Sequence, residues 1–502
     1  MKTVFQSLFA ITLAAGINAT AFANAPLTIS KLSTYVEDCL EEGCAEISAF
    51  DPDTMRVFTT NASENQLRIL SIINGELTPY NVIDLSIYGG APNSVAVSNG
   101  VVAVAVEASV KQSYGVVVLL TTAGEFIRSV QVGALPDMLT FTPDGQYLLV
   151  ANEGEPNGAY TIDPEGSVSV IDTTTWLVQT ADFKEFNQGN LKGARVFGPN
   201  AAAAQDFEPE YIAISPDSKT AWVSLQENNA FAVVDIPRAK IVDVYGLGYK
   251  KHNRNKNALD ASNEDSGINI QAWPVLGMYQ PDAIATYQTG SQTFILSANE
   301  GDARDYDGFS EEARVKDLVL DQRRFPDAYE LQQEQNLGRL KVTTTQGNRS
   351  SDDDYEKLYA YGARSFSIWN TNGKQVFDSQ ADFEKLLQSF QENEDFDVWV
   401  DSRSDDKGPE PESIVVGKLA GKSYAFIGLE RTSGIFVYDI TKPRRSHAAT
   451  YIDIKAQGDL APEGLVFIPR DDNTAWLLVT SEVSNTISLY EIVAVPAKQK
   501  KK

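Results

Sequence analysis

The sequence predicts an all-β protein, a seven-bladed β-propeller closed by an N-terminal strand and carrying a small helical and loop insert. Three observations lead there. A unit of two or three short apolar strands recurs seven times, at roughly 45–50 residues where nothing intervenes, and such an all-strand period marks a propeller array. The seventh unit stops after its third strand, "TISLYEI", which leaves one place unfilled. The segment "LTISKLSTYVE" at 27–37 has the length and pattern to fill it, and closure of this kind removes open sheet edges.

Taken from the N-terminus, residues 1–25 read as a secretory leader. Lys2 supplies a positive start, Val4 to Ala15 an apolar run, and "AFANA" at 21–25 small residues for cleavage after Ala25. The run is too short to span a bilayer, and no later window reaches about eighteen uninterrupted apolar residues. The expected location is therefore periplasmic or extracellular, with the propeller at 26–495 and a basic tail at 496–502. In an oxidising compartment Cys39 and Cys44, in "CLEEGC", read as a small disulfide loop rather than free thiols.

Composition narrows the function. Removal of Lys2 with the leader leaves 41 basic against 68 acidic residues, a net charge of −27. Such a surface disfavours nucleic acid and anionic membranes and favours cations. His252 and His447 are the only histidines, so His-rich zinc sites and His-based relays are poorly supported.

The seven units begin at Ala45, Pro92, Pro136, Pro209, Pro281, Pro411 and Pro462, and the spacing places inserts after the third, fourth and fifth. "TPDG" at 142–145 and "SPDS" at 215–218 are ordinary turns between first and second strands, and Asp144 and Asp217 receive no function. The insert at about 301–410, in blade 5, is expected to hold a helix in "SQADFEKLLQSFQEN" with Ser379 as N-cap and Phe383, Leu386, Leu387 and Phe390 on one face. "NRSSDDDYEK" (348–357) and "DSRSDDKGPEPE" (401–412) read as polar loops, and 249–267 as a solvated loop, basic and then polar.

Each unit opens with an acid or Asn, often after Pro, and its second strand ends in an acid. "LLVANEGEP" at 148–156 and "LSANEGDARDY" at 296–306 show the pattern most plainly. The start of a blade's first strand and the end of its antiparallel second strand share one face of the disc. Asp137 with Glu153, Glu210 with Glu227, Asp282 with Glu300, Glu412 with Glu430 and Glu463 with Glu482 should therefore meet on one rim. Glu107 joins them, Asn93 replaces the acid in the second unit, and Glu46 with Glu64 is a looser match in the first. So many carboxylates in one opening need cations, Arg partners or raised pKa values. Any single acid could be a loop cap, but capping does not require acids in both strands of a hairpin. An oxygen-rich, His-poor set suits Ca²⁺, with Mg²⁺ as the other hard cation. "DARDYDGFSEE" is no EF-hand, since Ala303 and Arg314 fall where ligands are required. Arg304, Arg314, Lys316, Arg364 and Arg431 could pair with these acids, or hold an oxyanion over a metal.

Beyond these patterns, "LTFTPDGQYLLVANEGEPN", "LSANEGDARDY" with "FSEEARVKDL", "GARSFSIWN" and "GLERTSGIFVYDI" resemble the choice-of-anchor I family over roughly residues 30–493. That group includes secreted bacterial proteins labelled alkaline phosphatase, and it is similar to the mesenchyme-specific cell surface glycoproteins linked to calcium carbonate mineral. The resemblance implies an extracellular seven-bladed propeller. Two functions are in view. One is a secreted calcium-binding propeller for adhesion or for mineral, polysaccharide or matrix interaction. The alternative is a metal-dependent phosphoesterase in which rim carboxylates hold metal-activated water and Arg304 or Arg314 orients a phosphate ester. No catalytic nucleophile stands out, because Ser310 and Thr432 have no His beside them.

Overall fold

The computed structural model describes residues 26–39, 42–349, 353–393 and 397–495. The expected leader and the basic tail lie outside the described residues.

Two-residue alternation in this chain serves strands buried on both faces. In Val101–Val106 ("VVAVAV") the valines 102, 104 and 106 pack towards the preceding sheet, and Ala103 and Ala105 towards the following one. A small side chain on one face and a branched one on the other lets neighbouring sheets lie close. Seven four-stranded antiparallel sheets result, and they follow the seven repeats. Their first strands are Ser48–Asp51, Pro92–Ser98, Pro136–Phe141, Pro209–Ile214, Ile284–Thr289, Pro411–Leu419 and Pro462–Pro469. These strands touch their neighbours in sequence, and the last touches the first, so the ring is closed. One apolar cluster fills each of the seven junctions between blades. The seventh blade takes its outer strand from the N-terminus: Leu27–Val36 pairs antiparallel with Thr486–Ala494. Cys39 and Cys44, just beyond it, are joined as a disulfide.

The insert differs from expectation. After the second strand of blade 5 (Gln292–Asn299) the chain leaves at 300, then returns to supply that blade's third and fourth strands, Ser365–Asn370 and Gln375–Asp378. Residues 365–378 therefore belong to the propeller, and the excursion is split in two. Its first part joins Tyr249–Lys251 and Val275–Met278 in a separate five-stranded sheet with its own apolar cluster. The segment 249–267 is consequently not a solvated loop: Lys250, His252, Asn257, Asp260 and Ser262 are buried. Their polar groups are bonded within the fold, as when His252 Nδ1 meets the Asn257 carbonyl at 2.7 Å and the Lys250 ammonium donates to the Ala363 carbonyl at 2.8 Å. The polar stretch 401–412 likewise buries Ser404, Asp405 and Glu410.

The expected helix is present at Asp382–Glu392, with Phe383, Leu387 and Phe390 buried against blades 5 and 6. Ser379 is not its cap. The N-cap is Ala381, and the Ser379 hydroxyl instead accepts the Phe366 N–H at 3.1 Å, tying the loop to blade 5.

Candidate functional site

A shared backbone device puts the acids where they are. Pro begins most first strands, where its missing N–H costs no ladder bond. It pairs with the second strand's end: Pro136 with Asn152, Pro209 with Leu225, Pro411 with Leu429, Pro462 with Ser481. In all four the register slips just after the Pro, and such a bulge re-aims the next side chain, which is the acid. The acid after the second strand is held by its own N–H. Glu153 donates to the Leu135 carbonyl at 2.8 Å, Glu430 to that of Glu410 at 3.0 Å, and Glu482 to that of Ala461 at 2.9 Å.

The "Asn-Glu-Gly" twins divide into residues that hold the backbone and one that faces the acidic end. Asn152 Nδ2 donates to the Ser169 hydroxyl at 3.0 Å, and Asn299 Nδ2 to that of Ser367 at 3.0 Å, so each Asn ties its second strand to the third. Gly154 and Gly301 turn the chain at φ of +76° and +100°. A Cβ on Gly301 would lie 2.2 Å from the Gly362 nitrogen, so no other residue fits. The Glu between them is left to the site.

The ten predicted carboxylates do share one end of the propeller. Asp137, Asp282 and Glu463 line a central cavity of about 590 Å³, together with Glu46, Glu107 and Tyr211. Glu210 and Glu412 face the same group: besides burial, Glu227 and Glu153 hold the Glu210 carboxyl well above its usual range, and Glu463 and Glu430 do so for Glu412. Burial first, then facing acids, pushes Asp137 and Glu463 up to about 7, Glu227 and Glu430 up to about 8, and Glu46 up to about 9. Glu482 lies at the margin, raised by burial and Glu42 and opposed by Arg431.

Two groups of three stand out at this end. Glu153, Glu208 and Glu227 form one; Glu300, Glu410 and Glu430 form the other, and within each the oxygens lie within 4.8 Å of one another. Their electrostatics differ. In the second group the Lys407 ammonium sits 2.6 Å from Glu300 and 3.6 Å from Glu410, Arg431 lies 2.6 Å from Glu430, and Arg403 lies 2.7 Å from Glu410. The charge of this group is thus met by three basic side chains. In the first group the near cation is Arg304, 3.0 Å from Glu208 and shared with Asp206 at 2.5 Å. Glu208 Oε1 and Glu227 Oε2 are buried without a hydrogen-bond partner. A carboxylate oxygen left so is costly unless something else meets it.

The five predicted cations are all committed to carboxylates. Arg304 and Arg431 are placed at the acidic end as just described. Arg314 is 2.6 Å from Asp405, Lys316 is 2.7 Å from Glu334, and Arg364 is 2.8 Å from Glu384. All three belong to the insert and brace it. Sequence reasoning missed Glu208, Glu410 and Lys407. The signal was there for the first two: "EPE" occurs at 208–210 and 410–412, and only the acid after each Pro was taken.

The family model described as "Choice-of-anchor I domain" matches residues 46–443. The chain is 26% identical over 381 residues to the mesenchyme-specific cell surface glycoprotein of Strongylocentrotus purpuratus, covering 64% of this chain and 47% of that protein. It is 34% identical over 118 residues to Gigasin-3a of Magallana gigas, covering 22% and 41%. The chain thus spans about half the length of the curated relatives it matches or less. Among solved structures, Kuenenia stuttgartiensis hydrazine synthase aligns with a TM-score of 0.48 at 12% identity, covering 93% of this chain and 100% of that one. The WD40 domain of Toxoplasma gondii coronin aligns with a TM-score of 0.45 at 10% identity, covering 94% and 89%. Among the described residues, no helix is long and apolar enough to cross a membrane.

Proposed function

We propose that this chain, which belongs to the choice-of-anchor I domain family, is an extracellular propeller that binds calcium through Glu153, Glu208 and Glu227 and serves adhesion or mineral and matrix contact. Two observations carry the reading: Glu153, Glu208 and Glu227 each bring a carboxylate oxygen within 4.8 Å of the others, and Glu208 Oε1 and Glu227 Oε2 are buried without a hydrogen-bond partner. Three carboxylates and no imidazole form a hard donor set. Spacings up to 4.8 Å suit two oxygens on one Ca²⁺ at 2.3–2.6 Å better than the tighter shell of Mg²⁺. Glu155, Glu210 and Asp302 add negative potential around the group. A relative named as a cell surface glycoprotein supports the extracellular setting.

The phosphoesterase alternative draws less support from the geometry. A phosphate would need a free guanidinium, and Arg304 and Arg314 are both spent on carboxylates. The deciding experiment is calorimetric titration of metal-stripped protein with Ca²⁺ and Mg²⁺. Calcium binding that is lost in Glu227→Gln is the expected result; unchanged binding in that variant overturns the assignment.

A further inference from the structure

A second site of opposite charge lies at the outer edge of blade 5. Beside the outermost strand of blade 5, Gln375–Asp378, is a cavity of about 570 Å³. In a chain of net charge −26 its walls carry Lys251, Arg254, Lys256 and Arg444. All four are exposed, and none has an ion-pair partner among the described residues. The one carboxylate in the wall, Asp378, is already spent. It accepts from the Ser365 and Ser367 hydroxyls at 2.9 and 3.0 Å, and the ammonium of buried Lys250 lies 3.3 Å from it. Lys250 in turn is held by the carbonyls of Ala363 and Gln380, so it forms a fixed floor. The cavity's field is therefore positive on a protein that is otherwise strongly negative, and concavity concentrates that field.

The lining also speaks to the ligand's neutral part. Tyr249 and Phe377 offer half-buried aromatic surface, and Gln375 and Gln380 offer amides. Aromatic faces with amides suit the C–H faces and hydroxyls of a sugar, and the volume is that of an ordinary small-ligand site. Three of the cations are strung along 251–256 and Arg444 comes from blade 6, so the charge is distributed over the wall. A ligand with several spaced anionic groups matches that layout better than one phosphate.

We infer that this cavity binds an anionic saccharide, one bearing sulfate or carboxylate groups. The interaction is independent of the calcium site. Full-length protein is titrated in EDTA with a sulfated hexasaccharide, an oligouronate of equal length, a neutral dextran oligosaccharide and oligoglutamate. Binding of the sulfated or uronic oligomer, or of both, is expected, with the better one identifying the anionic group. The variant Lys251→Gln/Arg254→Gln/Lys256→Gln should lose about tenfold or more in affinity, and higher salt should weaken the wild type similarly. Its three side chains are exposed, so its melting temperature should match wild type. Lys418→Gln/Arg470→Gln, two exposed cations elsewhere, should change affinity less than about twofold. No binding by wild type, equal binding by the triple variant, or equal binding of dextran or oligoglutamate would overturn the inference.

Discussion

Replacing Glu227 by Gln should move stability in opposite directions with and without calcium. In metal-free protein, burial and the facing Asp302 push this carboxyl from 4.5 up to about 8. The sign follows from linkage: a raised folded pKa gives stability that is complete below the unfolded value and lost as pH rises through the folded one. At pH 9 the group is charged in both states, and the folded state bears the full shift. At 1.36 kcal/mol per unit that is on the order of 4 kcal/mol, with relaxation and water entry reducing it. The amide keeps the shape and cannot ionise, so the metal-free variant should melt several degrees higher than wild type, at roughly 2 °C per kcal/mol for a long chain. Calcium acts the other way. At a hundredfold excess over Kd it should add about 2.7 kcal/mol to wild type and less to the variant, which lacks one of the three proposed ligands. Scanning calorimetry at pH 9, in EDTA and in calcium, reads both effects. An equal calcium shift in the two proteins, or a variant that melts lower without metal, would refute the reasoning.

Three further outcomes are expected. Metal-free wild type should lose stability steadily from about pH 5 to pH 9, because the acids pushed up to about 7, 8 and 9 must shed protons in that window; a melting temperature flat in pH would contradict this. Lys407→Met removes the ammonium 2.6 Å from Glu300, so the metal-free fold should weaken by about 3 kcal/mol and calorimetry should count one more calcium ion than in wild type. An unchanged ion count would show that Lys407 does not stand in for a metal. Asp144→Asn alters a turn in which Asp144 accepts from Thr142 at 2.7 Å, and should cost about 1 kcal/mol or less while leaving the calcium shift intact.

The seven hairpins were legible because strands such as Val101–Val106 keep a two-residue period through a fully buried stretch. The closing strand was legible because the seventh unit lacked a partner for its edge. The insert was not, because blade 5's third strand begins at Ser365, 66 residues after its neighbour Asn299, and nothing local marks such a gap. Lys250, His252 and Asp260 were misread as solvated because composition cannot reveal that a polar side chain is buried and bonded within a second sheet. At the acidic end the period predicted every acid that follows a bulge or ends a second strand. Glu208 and Glu410 precede their prolines, outside that period, and only the fold brings them to Glu227 and Glu430.

The joint that closes the ring also sets how the molecule answers force. Val36 pairs with Thr486 at one end of the ladder and Leu27 with Ala494 at the other, where Val495 donates to the Pro26 carbonyl at 2.8 Å and holds the outer ends of the two strands side by side. Tension applied across those two ends falls on that terminal pair first, then on the next, because antiparallel ladder bonds lie perpendicular to the strands. The ladder therefore unzips pair by pair under low load instead of shearing as a unit. A tether at one end alone leaves it unloaded. Pulling on both ends would open the propeller at the seam between its first and last strands.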